Sequence, residues 1–191
     1  MPVGSSPPMP SLDWRATVAW EEYERAITEI RSRIADGVTY QVNYTYRLRA
    51  PFVGDPWEYF RALAGASRSG YPAYVDTGRW AVCSASPELF FILQNDILES
   101  RPMKGTAPRG GTTRDDDERA RWLEGSEKNR AENLMIVDMI RNDIGRVAEV
   151  GSVAVPRLFT IERFPTVLQM TSTVTARVRV SATIRASVST V

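Results

Sequence analysis

The sequence predicts an α+β fold, and three observations carry that prediction. Stretches whose apolar residues recur every three or four positions stand beside others in which apolar and polar residues alternate. The alternating stretches come in runs joined by turn sequences, so helices and strands do not follow one another one for one. At 191 residues the chain is long enough for one sizeable core, or for one large domain cut short.

The start, "MPVGSSPPMPSLD", has neither the basic region nor the apolar core of a signal peptide, and residues 1–15 read as a disordered lead-in. In "WEEYERAITEIRSRIADG" Trp20, Tyr23, Ile27, Ile30 and Ile34 form one helical stripe, with Gly37 placed to cap it. "TYQVNYTYRLRAPF" then switches to a period of two. Tyr40, Val42, Tyr44, Tyr46 and Leu48 share one face, and Gln41, Asn43, Thr45, Arg47 and Arg49 the other. Such a strand is either solvated on its polar side or walls a polar site. Asp55 and Pro56 are the N-cap and first residue of a helix running to about Ser67.

Four strand-like segments follow, "YPAYV", "RWAVCSAS", "ELFFILQ" and "ILESRPM", joined at "DTG" and "QND" as an antiparallel meander. "TTRDDDERARWLEGS" reads as a charged surface helix. "SEKNRAENLMIVDMIRND" is a second helix, capped by Ser126, whose apolar residues go most of the way round, as in a buried helix. Strands return in "GSVAVPRLFTIERF" and "TVLQMTSTVTARV". From about residue 179 the chain is almost wholly Ser, Thr, Arg, Ala and Val, a composition foreign to what precedes it.

Composition excludes several chemistries. There is no histidine, so no Ser-His-Asp triad, Cys-His pair or histidine metal site exists. A lone cysteine, Cys83, excludes a disulfide within the chain and fits a cytoplasmic compartment. A net charge of +1 gives no global attraction to nucleic acid or an anionic membrane, and no run reaches the roughly eighteen apolar residues of a membrane span. General acids and bases must come from Glu, Asp, Lys or Tyr, and a metal would be a hard cation on carboxylates.

Local residues leave the candidate positions with two readings each. Lys104, in "RPMKGTAPRGG", is a solvated loop lysine or a nucleophile, and the second role needs a neutral amine. Glu88 is a strand-end carboxylate in water or an acid. Glu132, on a largely apolar helix, pairs with Lys128 or Arg130, or binds a cation. Gln41 is a sheet-face hydrogen-bonder or part of a polar site, and Cys83 is most simply a core residue.

Taken in order, "YQVNYTYRLR", "SASPELFF", "RPMKGTAPRG", "KNRAENLMIVDMIRNDIGRV" and "FPTVLQMTSTVTARV" resemble the chorismate-utilising enzymes, over about residues 20–178. These comprise the anthranilate, aminodeoxychorismate, isochorismate and salicylate synthases. The resemblance implies two antiparallel sheets packed face to face with helices outside, and residues 16–178 as part of the catalytic domain. Lysine at position 104 is the mark of the aminodeoxychorismate branch, where relatives that make anthranilate or isochorismate carry alanine. The implied reaction is amination of chorismate at C4 to 4-amino-4-deoxychorismate, with Lys104 as covalent nucleophile at C2 and Glu88 as general acid. Gly105, Thr106, Gln41 and Gln169 would contact substrate. Gln41 replaces the lysine base of the water-adding members, and Gln169 the histidine of many relatives. Glu132 would help hold Mg²⁺, and a glutamine amidotransferase would supply ammonia for p-aminobenzoate and folate synthesis. The competing implications are an anthranilate synthase component I and a non-catalytic chorismate-binding remnant. Later motifs of the family, Gly-Ala-Pro-Lys among them, do not follow "TSTVTARV". The expectation is therefore a partial chain, marginally stable and inactive alone, with residues 179–191 an atypical, frame-shifted or disordered tail.

Overall fold

The structure, a computed structural model, describes residues 11–178. The tail expected over 179–191 and most of the expected lead-in lie outside the described residues. Arg15, the last residue of that lead-in, already belongs to the first strand, β1 (Arg15–Ala16).

Helix α1 (Trp20–Ala35) ends as its sequence predicts. Gly37 takes φ +71°, its N–H donates to the Ile34 carbonyl at 3.1 Å, and the Val38 N–H donates to Arg33 at 3.0 Å. That pair of bonds closes the helix by a left-handed glycine turn. Among the described residues the apolar stripe has little to bury against: no residue of α1 is buried, and Tyr23 meets the rings of Tyr44 and Tyr46 beyond its own helix. The strand expected over 40–49 is reduced to β2 (Leu48–Arg49), which pairs with β1. A strand needs a neighbour to take its N–H and C=O groups. Among the described residues β1 offers two residues, so Tyr40–Arg47 stay irregular and Tyr40 is 73% exposed.

Helix α2 (Pro56–Ser67) starts where Asp55 accepts the Trp57 N–H at 2.9 Å, and it packs on a hairpin of β3 (Tyr71–Asp76) and β4 (Ala81–Ser86). Tyr74 meets Trp57 and Phe60 with ring centroids 5.1 and 5.5 Å apart, while the Cys83 thiol reaches the Pro56 carbonyl. Cys83 is thus half-buried rather than a core residue.

The chain crosses at Ser86–Glu88 into a second sheet, so the four strands do not form one meander. Pro87, with no N–H to donate, separates β4 from β5 (Leu89–Gln94). Strand β5 turns through Asn95 (φ +50°) and Asp96 (φ +64°) into β6 (Ile97–Arg101). Two consecutive positive φ values are what a two-residue hairpin requires. Strands β6 and β7 (Met103–Pro108) then pair with successive parts of the last strand, β9 (Val167–Arg177). β8 (Ala154–Arg163) lies along its other edge.

Period two divides β9 cleanly. Leu168, Met170, Val174 and Ala176 are buried; Leu168 and Met170 pack with Ala120 and Leu123 of α3 (Thr113–Gly125), Val174 and Ala176 with Val137 and Ile144 of α4 (Glu127–Gly145). Gln169, Thr171, Thr173 and Thr175 face the other way, where Thr171 and Thr173 are buried as well. Two helix expectations change. The charged α3 buries Asp116, Ala120 and Leu123. The apolar α4 covers the sheet on one side only, leaving Leu134 and Met139 exposed.

Candidate active site

The "MKGT" segment is a β-bulge. Met103 stands opposite Thr171, but Thr106 stands opposite Gln169, so three steps along β7 match two along β9. The extra residue kinks the strand and leaves backbone groups without ladder partners. Gly105 sits in the kink at φ +96°, and a Cβ there would lie 3.0 Å from Asn129 Cβ, so both backbone angle and space call for glycine.

Around the bulge several sequence-predicted residues converge. Thr106 and Gln169 are joined Oγ1 to Oε1 at 2.9 Å across the polar face of the sheet. Glu88 Oε1 accepts the Met103 N–H at 3.0 Å, which ties the Ser86–Glu88 crossing to the residue before Lys104. Glu88 is exposed, whereas the acid role asks for burial. Glu132, 43% exposed, stands on α4 with its nearest cation, Lys128, 3.9 Å away. Its flanking residues Asn129 and Asn133 touch the bulge at Gly105 and Lys104. Arg101 and Arg109, the cations nearest Lys104 in sequence, are committed elsewhere: Arg101 to Glu162 and Tyr71, Arg109 to Asp116. Gln41 is not drawn in. It lies exposed in the irregular stretch before β2, where its carbonyl accepts the Thr39 hydroxyl.

Three features escape local sequence reading. Glu162 accepts from Thr171 Oγ1 at 2.8 Å and from Arg101, so a carboxylate and a guanidinium lie beside Gln169 on the polar face. Asn133 is fully buried on α4, and only its four-residue spacing from Val137 marks it as belonging to the buried stripe. The third is Asp116, buried where α3 starts. It accepts from Arg109 Nε at 2.7 Å and Nη2 at 2.9 Å, from the Gly110 N–H at 2.9 Å, and from Arg163. These partners, Arg109 foremost, hold its carboxyl well below the usual carboxylate range.

That shift sets an acid response. A carboxyl near 3.9 in the unfolded chain and lower in the folded one stabilises the fold fully above about pH 4. The stabilisation is lost progressively as pH falls toward the folded value. Asp116→Asn is expected to melt below the parent at pH 7, and the gap to narrow between about pH 4.5 and 2. Circular-dichroism melts across that range check it; a gap that widens on acidification would contradict the assignment.

The chain belongs to the chorismate binding enzyme family, which matches residues 2–191. It is similar to aminodeoxychorismate synthase component 1 of Klebsiella aerogenes, 47% identical over 164 residues, covering 86% of this chain and 36% of that one. Anthranilate synthase component 1 of Aquifex aeolicus is 38% identical over 167 residues, covering 87% and 34%. Among solved structures, anthranilate synthase component I from Streptococcus pneumoniae superposes with a TM-score of 0.81 at 30% identity, over 92% of this chain and 38% of that one. The chain thus spans about a third of the length of these two curated relatives.

Proposed function

We propose that this chain carries part of the active site of an aminodeoxychorismate synthase component 1, which adds ammonia to C4 of chorismate. The observation that carries the proposal is Lys104, set in a glycine-dependent bulge two residues before Thr106, which pairs with Gln169, in a chain 47% identical to a relative of that name. In the first step the neutral Lys104 amine adds to C2, the two ring double bonds shift, and the C4–O bond breaks. Glu88 gives the departing hydroxyl a proton, so water leaves, and recovers one from the new ammonium at C2. In the second step ammonia adds at C4, the double bonds shift back, and the C2–N bond breaks as Glu88 returns its proton to the leaving amine. One proton passes from the new C4 nitrogen to Glu88, restoring the acid, and the sum is chorismate plus ammonia to 4-amino-4-deoxychorismate plus water. Covalent catalysis here divides one hard displacement into two easier ones.

Gly105, Thr106 and Gln169 are the proposed substrate contacts on the polar face, with Gln41 a further one. Among the described residues no three His, Cys, Asp or Glu side chains group closely enough to hold a metal. Glu132, half-exposed and only loosely paired, fits Mg²⁺ as one ligand in a shell completed by substrate oxygens and water. When bound, that ion neutralises carboxylate charge on chorismate. Ammonia would come from a partner glutamine amidotransferase. No helix among the described residues is long and apolar enough to cross a membrane, and the reading places the chain in the cytoplasm.

The test grafts the aligned 164-residue segment into the Klebsiella aerogenes relative and supplies chorismate, Mg²⁺ and an ammonium salt. Chromatography should show 4-amino-4-deoxychorismate and no pyruvate, with no turnover by the isolated chain. Anthranilate plus pyruvate would instead assign the segment to the anthranilate branch.

A further inference from the structure

We infer that Asn133 is a positioning residue for Lys104: its buried amide fixes the backbone of the bulge from which the lysine projects. The inference rests on the proposed role of Lys104. In the bulge, register is lost between Met103 and Thr106, so ladder groups on both strands need other partners. Asn133, at 0% exposure, supplies them. Its Nδ2 donates to the Lys104 carbonyl at 3.4 Å and to the Met170 carbonyl at 3.2 Å, one N–H for each strand. Its Oδ1 accepts from Ser172 Oγ at 2.6 Å, and Ser172 Oγ accepts in turn from the Phe159 N–H at 3.1 Å.

One side chain thus ties α4 to β7 and β9, with Ser172 relaying it to β8. An amide is the group suited to this position: two donors meet two carbonyls, and its acceptor takes a hydroxyl. Aspartate would set an acceptor against two acceptors, and leucine would take the side-chain donor away from both carbonyls. One turn earlier, Asn129 fills the space over Gly105. The bulge is therefore held at two consecutive residues by one helix, and Glu132 lies on that helix between the two asparagines. Moving Asn133 would move Lys104 relative to Glu132.

The chain has two lysines, Lys104 and Lys128, which makes the test direct. Lys128 has a side chain 83% exposed and serves as the internal reference. Trace acetylation of the folded 191-residue chain, followed by peptide mapping, gives the ratio of labelling at Lys104 to that at Lys128. In Asn133→Leu the ratio should move at least about threefold toward its value in urea, since the bulge backbone loses both its ties. Ser172→Ala removes the hydroxyl but keeps both carbonyl bonds. It should lower the melting temperature yet leave the ratio within about 1.5-fold of the parent. A role confined to stability would shift the ratio in both variants in step with their melting temperatures, and that result would overturn the inference. Should Asn133→Leu fail to fold, the parent chain decides by NMR. Both Asn133 Nδ2 protons should exchange slowly, and exchange at the rate of a free amide would refute the inference. None of these readouts involves chorismate, so a graft that fails to make the 4-amino product would overturn the reaction while leaving this result standing.

Discussion

Gly110→Ala is expected to unfold the corner where β7 meets α3, at a cost of about 3 kcal/mol or more. The cause is contact with backbone. A Cβ at Gly110 would collide with the Asp116 nitrogen and lie 2.6 Å from the Asp115 carbonyl carbon and 2.7 Å from Asp116 Cα. None of these atoms can retreat cheaply. Asp116 N–H donates to the Thr112 carbonyl, and Thr112 Oγ1 caps the same turn by accepting the Asp115 N–H. The Asp116 carboxylate in turn holds Arg109, the Gly110 N–H and Arg163. Opening the corner by the ångström or so a methyl group demands would break the cap and the ion-pair cluster together. The matched control is Gly125→Ala at the end of the same helix, where a Cβ meets nothing within 4 Å. There alanine should be neutral or stabilising by up to about 1 kcal/mol, because glycine is the poorer helix former. Urea denaturation followed by circular dichroism compares the two. A Gly110→Ala chain as stable as Gly125→Ala would show that the corner is looser than its contacts require.

Neither Gly110 nor Asp116 stands out in the sequence, and the reason separates what is legible from what is not. Asp55-Pro56, Gly37 and the Asn95-Asp96 turn act on residues within one turn of themselves, so local reading placed α2, the end of α1 and the β5–β6 hairpin. The strand expected over 40–49 depends on a ladder partner elsewhere, and its alternating pattern could not reveal that, among the described residues, two of its positions find one. Asp116 is the middle of three consecutive aspartates, which read as a solvated run. Its burial is decided by Arg109 and by Arg163, the latter 47 residues away. Asn133 is the same case in the site itself: its partners lie 29, 37 and 39 residues off. The apolar helix drew attention to a polar residue there, but to Glu132 rather than its buried neighbour. For Lys104 the local residues left both readings open, and family resemblance chose between them. The structure then contributed the bulge, the Glu88 bond to Met103, and the helix that grips the lysine's backbone.

Lys104→Ala, made in the grafted relative, is expected to cut formation of 4-amino-4-deoxychorismate at least about a hundredfold. Removing the amine removes the group that opens C4 to ammonia, and the segment's other lysine, Lys128, stands in the first turn of α4, on the exposed surface. Stability should be untouched. Asn133 bonds the backbone carbonyl of residue 104, which alanine retains, and among the described residues no salt bridge engages the Lys104 ammonium. The KM for chorismate should also stay within about threefold, because a group that bonds substrate only during the chemical step contributes mainly to kcat. With alanine at position 104, C2 is open to ammonia or water, so any residual turnover should appear as C2-substituted product. The measurement pairs product chromatography with intact-mass analysis of acid-quenched enzyme, in which a dehydrated-chorismate increment on the Lys104 peptide should be present in the parent and absent from the variant. A variant that retained 4-amino product within tenfold of the parent would exclude the covalent role. A parent without the mass increment would assign Lys104 to substrate binding instead, and the loss should then appear in KM rather than in kcat.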